Sequence, residues 1–231
     1  MNENYKHMIF RLSSFIFIVP SYSGVGMSNS EGGHQIRPLP IAYERVKGVM
    51  DEETYKWHHD THYAGYVNKR NEVELELSKA DRGKANANYS GFRSLKLEET
   101  WNGNGMLLHE MYWEMMGGDG KYEDDMKIIK KLAEDFGSLQ AWKDDMLATA
   151  KSGRGWAVLC VDLFSDGKLR NFLFDAHNQG GIVGSVPILV IDVFEHAYYH
   201  KFGPDRGAYL NAFMDNIDWK KVDERFGRRG P

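Results

Sequence analysis

Pro187-Ile-Leu-Val-Ile-Asp-Val-Phe-Glu-His196 is an apolar run that ends in a carboxylate and an imidazole. β-Branched residues over 187–193 predict a buried strand. Asp192 and His196 then come together at the strand's end. An ionised carboxylate buried beside a histidine is costly unless something positive lies between them. A metal ion is the simplest such partner, so further ligands are expected elsewhere in the chain.

Two more strands are expected before this one, over 156–164 and 168–175, with Ser165-Asp-Gly167 as the hairpin turn between them. Helices are expected at 122–135 and at 138–152, the second with Ser138 as its N-cap, and a final helix at 207–216. Upstream, 51–116 reads as helical. The polar and small residues of 78–90 break it into two long helices that form a hairpin. Gly117-Gly-Asp-Gly-Lys121 is a hinge by composition. Helices first and strands later imply an α+β fold. It has an N-terminal two-helix antiparallel hairpin at 35–120. A C-terminal α/β domain with a three-stranded antiparallel sheet follows at 121–231.

The bulk properties bound the function. The chain has 231 residues, 42% of them hydrophobic and 13% aromatic, enough for a real core. A net charge of -4 argues against nucleic-acid binding, which uses a basic face. The single cysteine, Cys160, excludes an intrachain disulfide framework and reads as a small buried hydrophobe. Residues 1–34 form an extension. Its apolar run, Met8-Ile-Phe-Arg-Leu-Ser-Ser-Phe-Ile-Phe-Ile-Val19, is interrupted by Arg11 and is shorter than the roughly 20 residues of a membrane span. The adopted reading is an upstream extension with Met27 as the true start and a cytoplasmic protein. The alternative is a weak signal peptide or targeting segment within 1–26.

His58-His-Asp-Thr-His62 supplies candidate ligands on the first helix. His58, His62 and Tyr66 recur every four residues, which aligns them along one helical face. One histidine on an apolar face is usually a core residue; three titratable groups in a stripe point to a site. His109 follows apolar neighbours on the second helix, with Trp113 one turn later. In a packed hairpin, His58 and His109 can face each other across the seam, as in bundle metal sites. His58, His109, Asp192 and His196 then make three imidazoles and one carboxylate. That set suits redox-active iron or manganese better than structural zinc, which favours thiolates.

These residues carry a resemblance. Trp57-His-His-Asp-Thr-His-Tyr-Ala-Gly-Tyr-Val67, His109-Glu-Met-Tyr-Trp113, Gly155-Trp-Ala-Val-Leu159, Asp192-Val-Phe-Glu-His-Ala-Tyr-Tyr199 and Phe213-Met-Asp-Asn-Ile-Asp-Trp219 resemble, in order and spacing, the iron/manganese superoxide dismutases over about residues 39–226. The resemblance implies redox cycling of one iron or manganese ion per subunit, converting superoxide to oxygen and hydrogen peroxide. His58, His109, Asp192 and His196 would bind the metal, with solvent as a fifth ligand. His62 and Tyr66 would line the substrate funnel, and Trp113 and Trp156 would wall the site. Glu195 and Tyr199 would reach across a homodimer or tetramer interface, Glu195 to a metal-binding histidine and Tyr199 to His62. Neither nucleic acid nor membrane is implied as a partner.

The chain also departs from the family's pattern. Phe194 stands where tryptophan is usual. Gly105 occupies a position where one branch carries the glutamine that holds the metal-bound solvent. His177 is assigned that anchoring role, with Gln179 as its rival. For a basic residue near the funnel mouth the chain offers Arg206 nearby, but Asp205 precedes it. Two other readings stand beside this one, a non-catalytic metal-binding homologue and another mononuclear non-haem iron protein such as an oxygenase. The simplest alternative is a set of core histidines that bind nothing.

Overall fold

A computed structural model describes residues 33–229; the readings of the N-terminal extension, with its apolar run and Met27, lie outside them. The expected fold class is borne out. The first helix begins at Asp51, whose carboxylate caps the Thr54 N–H at 2.8 Å. α1 (Glu52–Trp57) passes through a wide π-helical turn (His58–Tyr63) into α2 (Ala64–Lys79). This corrects the expectation of one regular helix, and such turns are frequent at functional sites. The polar stretch after α2 leads to α3 (Gly91–Glu114), where the Ser90 hydroxyl accepts from the Arg93 N–H at 3.1 Å. Tyr63 meets Glu110, Tyr66 lies against Gly105, and Arg70 reaches the Glu99 carbonyl. Contacts that run in opposite directions along the two helices define an antiparallel hairpin.

The second half opens with α4 (Lys127–Phe136) and α5 (Leu139–Ser152). α4 starts five residues later than expected. The polar 122–126 segment stays outside it, and Asp223 from the far end of the chain caps the Ile128 N–H at 2.8 Å. Ser138 caps α5 as expected, accepting from Ala141 N–H at 3.0 Å. The sheet contains β1 (Trp156–Asp162), β2 (Leu169–Phe174) and β3 (Ser185–Asp192), in the antiparallel order β2-β1-β3. β1 stops short of the expected Phe164, which is 85% exposed in the turn. Gly167 closes that turn with φ 69, a left-handed conformation that suits glycine.

β3 starts two residues earlier than expected. A bulge at Ile188, between the pairs Leu159–Leu189 and Cys160–Pro187, falls next to Pro187, which has no N–H to give to the ladder. α6 (Glu195–Phe202) and α7 (Arg206–Met214) follow directly. The expected final helix at 207–216 is therefore α7 and is not the last. α8 (Trp219–Arg229) closes the chain, and Trp219, Val222 and Phe226 bury its inner stripe. That three- and four-residue spacing was readable in the sequence.

β1 is buried along its whole length, and Leu108, Tyr112 and Trp113 of α3 join the same apolar cluster as β1 and β3. Each large side chain buried there is worth roughly 1.5–3 kcal/mol. Cys160 lies within this core, where burial pushes its thiol up to about 12. No helix among the described residues is long and apolar enough to cross a membrane.

Candidate metal centre

The π-helical turn, α3, the end of β3 and the start of α6 bring four side chains to one point. His58 and His109 are buried, Asp192 is wholly enclosed, and His196 is partly open. The Nε2 atoms of His58, His196 and His109 lie 3.1, 3.3 and 3.7 Å from Asp192 Oδ2. One ligand atom from each of the four residues falls within 4.8 Å of the others. His109 Nε2 and His196 Nε2 are buried and make no hydrogen bond. Buried polar nitrogens normally have partners, and lone pairs converging on a carboxylate oxygen fit a cation.

Local contacts orient these groups. His109 Nδ1 lies 2.6 Å from the Gly105 carbonyl oxygen. A carbonyl only accepts, so Nδ1 carries the proton and Nε2 presents its lone pair. Asp192 Oδ1 accepts from the Phe194 N–H at 2.9 Å, and the Asp192 carbonyl accepts from the Tyr209 hydroxyl at 2.7 Å. Burial pushes the Asp192 carboxyl up, but His196 and His58 outweigh it and hold it well below the usual carboxylate range. Burial likewise drives His109 well below its ordinary value and keeps it neutral.

The other expected residues surround this cluster. His62 stacks on His196 with ring centroids 4.1 Å apart, and burial lowers its pKa. Tyr66 lies 5.2 Å from the His109 ring, and burial pushes its hydroxyl up to about 12. Trp113 stands 5.0 Å from His58, and Trp156 stands 4.9 Å from His109. Phe194 stacks on His196 at 5.4 Å and contacts His177 at 4.9 Å. His177 is buried and bonds to Tyr66, whereas Gln179 is exposed. Gly105 leaves room for Tyr66, because a Cβ there would approach its ring to 2.7 Å. Arg206 lies against the Tyr198 ring and donates to the Gly153 carbonyl at 2.6 Å. Glu195 and Tyr199 are exposed on the single chain.

Sequence reasoning missed Trp101, Asn104 and Tyr209. Trp101 and Asn104 lie on α3 before His109 and touch His177. The four-residue step from Leu97 to Trp101 and the three-residue step on to Asn104 were the available signal.

Burial also holds His58 and His177 down at about 4, against an ordinary 6.5. Between these values the unfolded chain takes up protons that the folded chain refuses. Stability is therefore full above pH 6.5 and falls as the pH drops toward 4, by about 1.4 kcal/mol per pH unit for each histidine. Urea denaturation of the metal-free protein across this window is expected to show the decline. A flat profile contradicts neutral buried histidines.

Residues 33–117 match the alpha-hairpin domain of iron/manganese superoxide dismutases, and residues 124–225 match their C-terminal domain. The chain belongs to the iron/manganese superoxide dismutase family. Among its relatives, manganese superoxide dismutase 2 of Haloferax volcanii is 39% identical over 194 residues, which cover 84% of this chain and 95% of the relative. The iron superoxide dismutase of Aquifex aeolicus is 43% identical over 199 residues, 84% of this chain and 92% of the relative. Manganese superoxide dismutase 1 of Halobacterium salinarum is 38% identical over 193 residues, with 84% and 94% coverage. The family relation thus spans both halves of the chain and the elements that form the cluster.

Proposed function

We propose that this protein is a superoxide dismutase that holds one iron or manganese ion between His58, His109, Asp192 and His196. The supporting observation is the convergence of three imidazole Nε2 atoms on one buried carboxylate oxygen. A bound ion would supply one-electron redox chemistry, cycling between +3 and +2 as one superoxide is oxidised and another reduced. Two superoxide ions and two protons give one oxygen molecule and one hydrogen peroxide.

The chain's own residues handle charge, access and protons. Asp192 offsets the ion's charge inside an apolar core. Trp113, Trp156 and Phe194 form aromatic walls that limit water. Tyr66 keeps its proton at neutral pH, since burial pushes its hydroxyl up to about 12, and can donate from Oη to a reduced dioxygen anion. His62 is half-buried, stacked on His196, and is suited to relay protons from solvent. His177 is favoured over Gln179 as the polar residue that supports the site, because it is the one buried beside Tyr66.

A three-histidine cluster disfavours an iron oxygenase, which uses two histidines and one carboxylate. The presence of His62 and Tyr66 around the cluster disfavours a non-catalytic homologue.

The test is metal content and superoxide turnover of protein expressed with iron and, separately, with manganese. Bound metal without turnover in both forms refutes the enzymatic reading. Tyr66→Phe is expected to keep its metal and slow turnover at high superoxide by roughly tenfold or more. An unaffected rate removes Tyr66 from proton delivery.

Assembly as a homodimer or tetramer rests on exposed Glu195 and Tyr199 beside partly open His196. Glu195→Ala is expected to weaken both association and metal retention; an unchanged oligomer with full metal refutes the bridging role. We place the division between the two structural halves at residues 120/121, within the glycine-rich link.

A further inference from the structure

His177 belongs to the connection between β2 and β3, yet the hairpin half of the chain grips it. Leu97, Thr100, Trp101 and Asn104 share one face of α3 by their spacing. Asn104 Nδ2 donates to the His177 carbonyl oxygen at 2.8 Å. Asn178 Nδ2 donates back to Thr100 Oγ1 at 3.1 Å and to the Leu97 carbonyl oxygen at 3.3 Å. The Trp101 ring stands edge-on to the His177 imidazole, with centroids 4.5 Å apart and planes at 72°. This is nearer than the Tyr66, Phe194 and Trp156 rings, at 4.6, 4.9 and 5.8 Å.

The imidazole's proton is assigned by its partners. Trp156 Nε1 lies 2.9 Å from His177 Nδ1, and an indole N–H can only donate. Nδ1 therefore accepts, and a neutral ring carries its single proton on Nε2. That atom lies 2.7 Å from Tyr66 Oη. An imidazole held this way has one proton to give on the site side, and it goes to Tyr66. The Tyr66 hydroxyl is then an acceptor from His177, and its own proton points elsewhere.

We propose that Trp101 and Asn104 are positioning residues that fix His177 with its one free N–H on Tyr66, leaving the Tyr66 proton available to the substrate. The proposal rests on the superoxide reading of the site. The ring contact of Trp101 and the hydrogen bond of Asn104 both reach the site through His177.

The test uses metal-loaded parent, Trp101→Ala, Trp101→Phe and Asn104→Ala proteins. Each is characterised by crystal structure, metal content and the separate values of kcat and kcat/KM. Trp101→Ala is expected to part His177 Nε2 from Tyr66 Oη beyond hydrogen-bond range. It is expected to lower kcat roughly tenfold, since small misplacements of reacting groups are costly, while kcat/KM and metal content hold. Asn104→Ala shifts both readouts in the same direction to a smaller extent. Trp101→Phe keeps an aromatic edge on the imidazole and restores the bond and the rate. An intact His177–Tyr66 bond in both alanine variants overturns the proposal. So does a kcat loss that phenylalanine does not rescue. If Trp101→Ala fails to fold, Asn104→Ala decides the outcome, because it removes one partly exposed amide and no core volume. A parent protein that binds metal but lacks turnover refutes the superoxide reading, while the bond distance still decides what holds His177.

Discussion

Asp192→Ala is expected to lose its metal and, with it, superoxide turnover. Asp192 is wholly buried, and its Oδ2 is the point on which the three imidazole nitrogens converge. Without it, three neutral imidazoles remain, with no anion to offset a multivalent cation in a low-dielectric core. Loss of a residue that merely orients a ligand typically costs 10- to 100-fold in metal affinity, so loss of the anionic ligand itself is expected to cost on the order of 100-fold or more. Alanine also removes the acceptor for the Phe194 N–H at the start of α6. Asp192→Asn separates the two effects, since it keeps the shape and an oxygen acceptor while removing the charge. It is expected to fold and still lose the ion. Metal content and turnover measured on both variants check this, and stoichiometric metal in Asp192→Asn contradicts the assigned role.

The second large effect is expected from Gly105→Gln. The family resemblance implies a glutamine at this position in one branch, which makes the change look conservative. The geometry says otherwise, since a Cβ at 105 would sit 2.7 and 2.8 Å from two carbons of the Tyr66 ring. The ring has to move, and overpacking of this kind costs about 1–3 kcal/mol. Gly105 also supplies the carbonyl that fixes the His109 tautomer, so the disturbance reaches a second group. Metal is expected to stay, because all four cluster side chains remain. Turnover is expected to fall about 100-fold as Tyr66 is displaced. Thermal unfolding, metal content and turnover measured together check this. Parent-like stability and rate contradict a tight fit between Gly105 and Tyr66.

Most of the architecture was legible because its signals are local. Ser138 is a capping side chain, Gly167 ends a turn, and the strand cores are β-branched and apolar. The four side chains of the cluster were legible for another reason. Asp192 and His109 follow apolar runs, where such groups are costly without a partner, His58 recurs in a four-residue stripe with His62 and Tyr66, and His196 follows Asp192 by four residues. What stayed hidden depends on packing between distant segments. The π-helical turn at His58–Tyr63 has no sequence mark of its own. The start of α4 is set by Asp223, nearly a hundred residues away. Trp101 reads as an ordinary core aromatic until the β2–β3 connection folds over it.

The central claim is that these four side chains hold a single redox metal. Anomalous X-ray scattering at the iron and manganese edges, from crystals of the protein as purified, tests it most directly. The account predicts one peak per chain, at bonding distance from Nε2 of His58, His109 and His196 and from one Asp192 carboxylate oxygen. A peak elsewhere, or one bonded to fewer than these four residues, contradicts it.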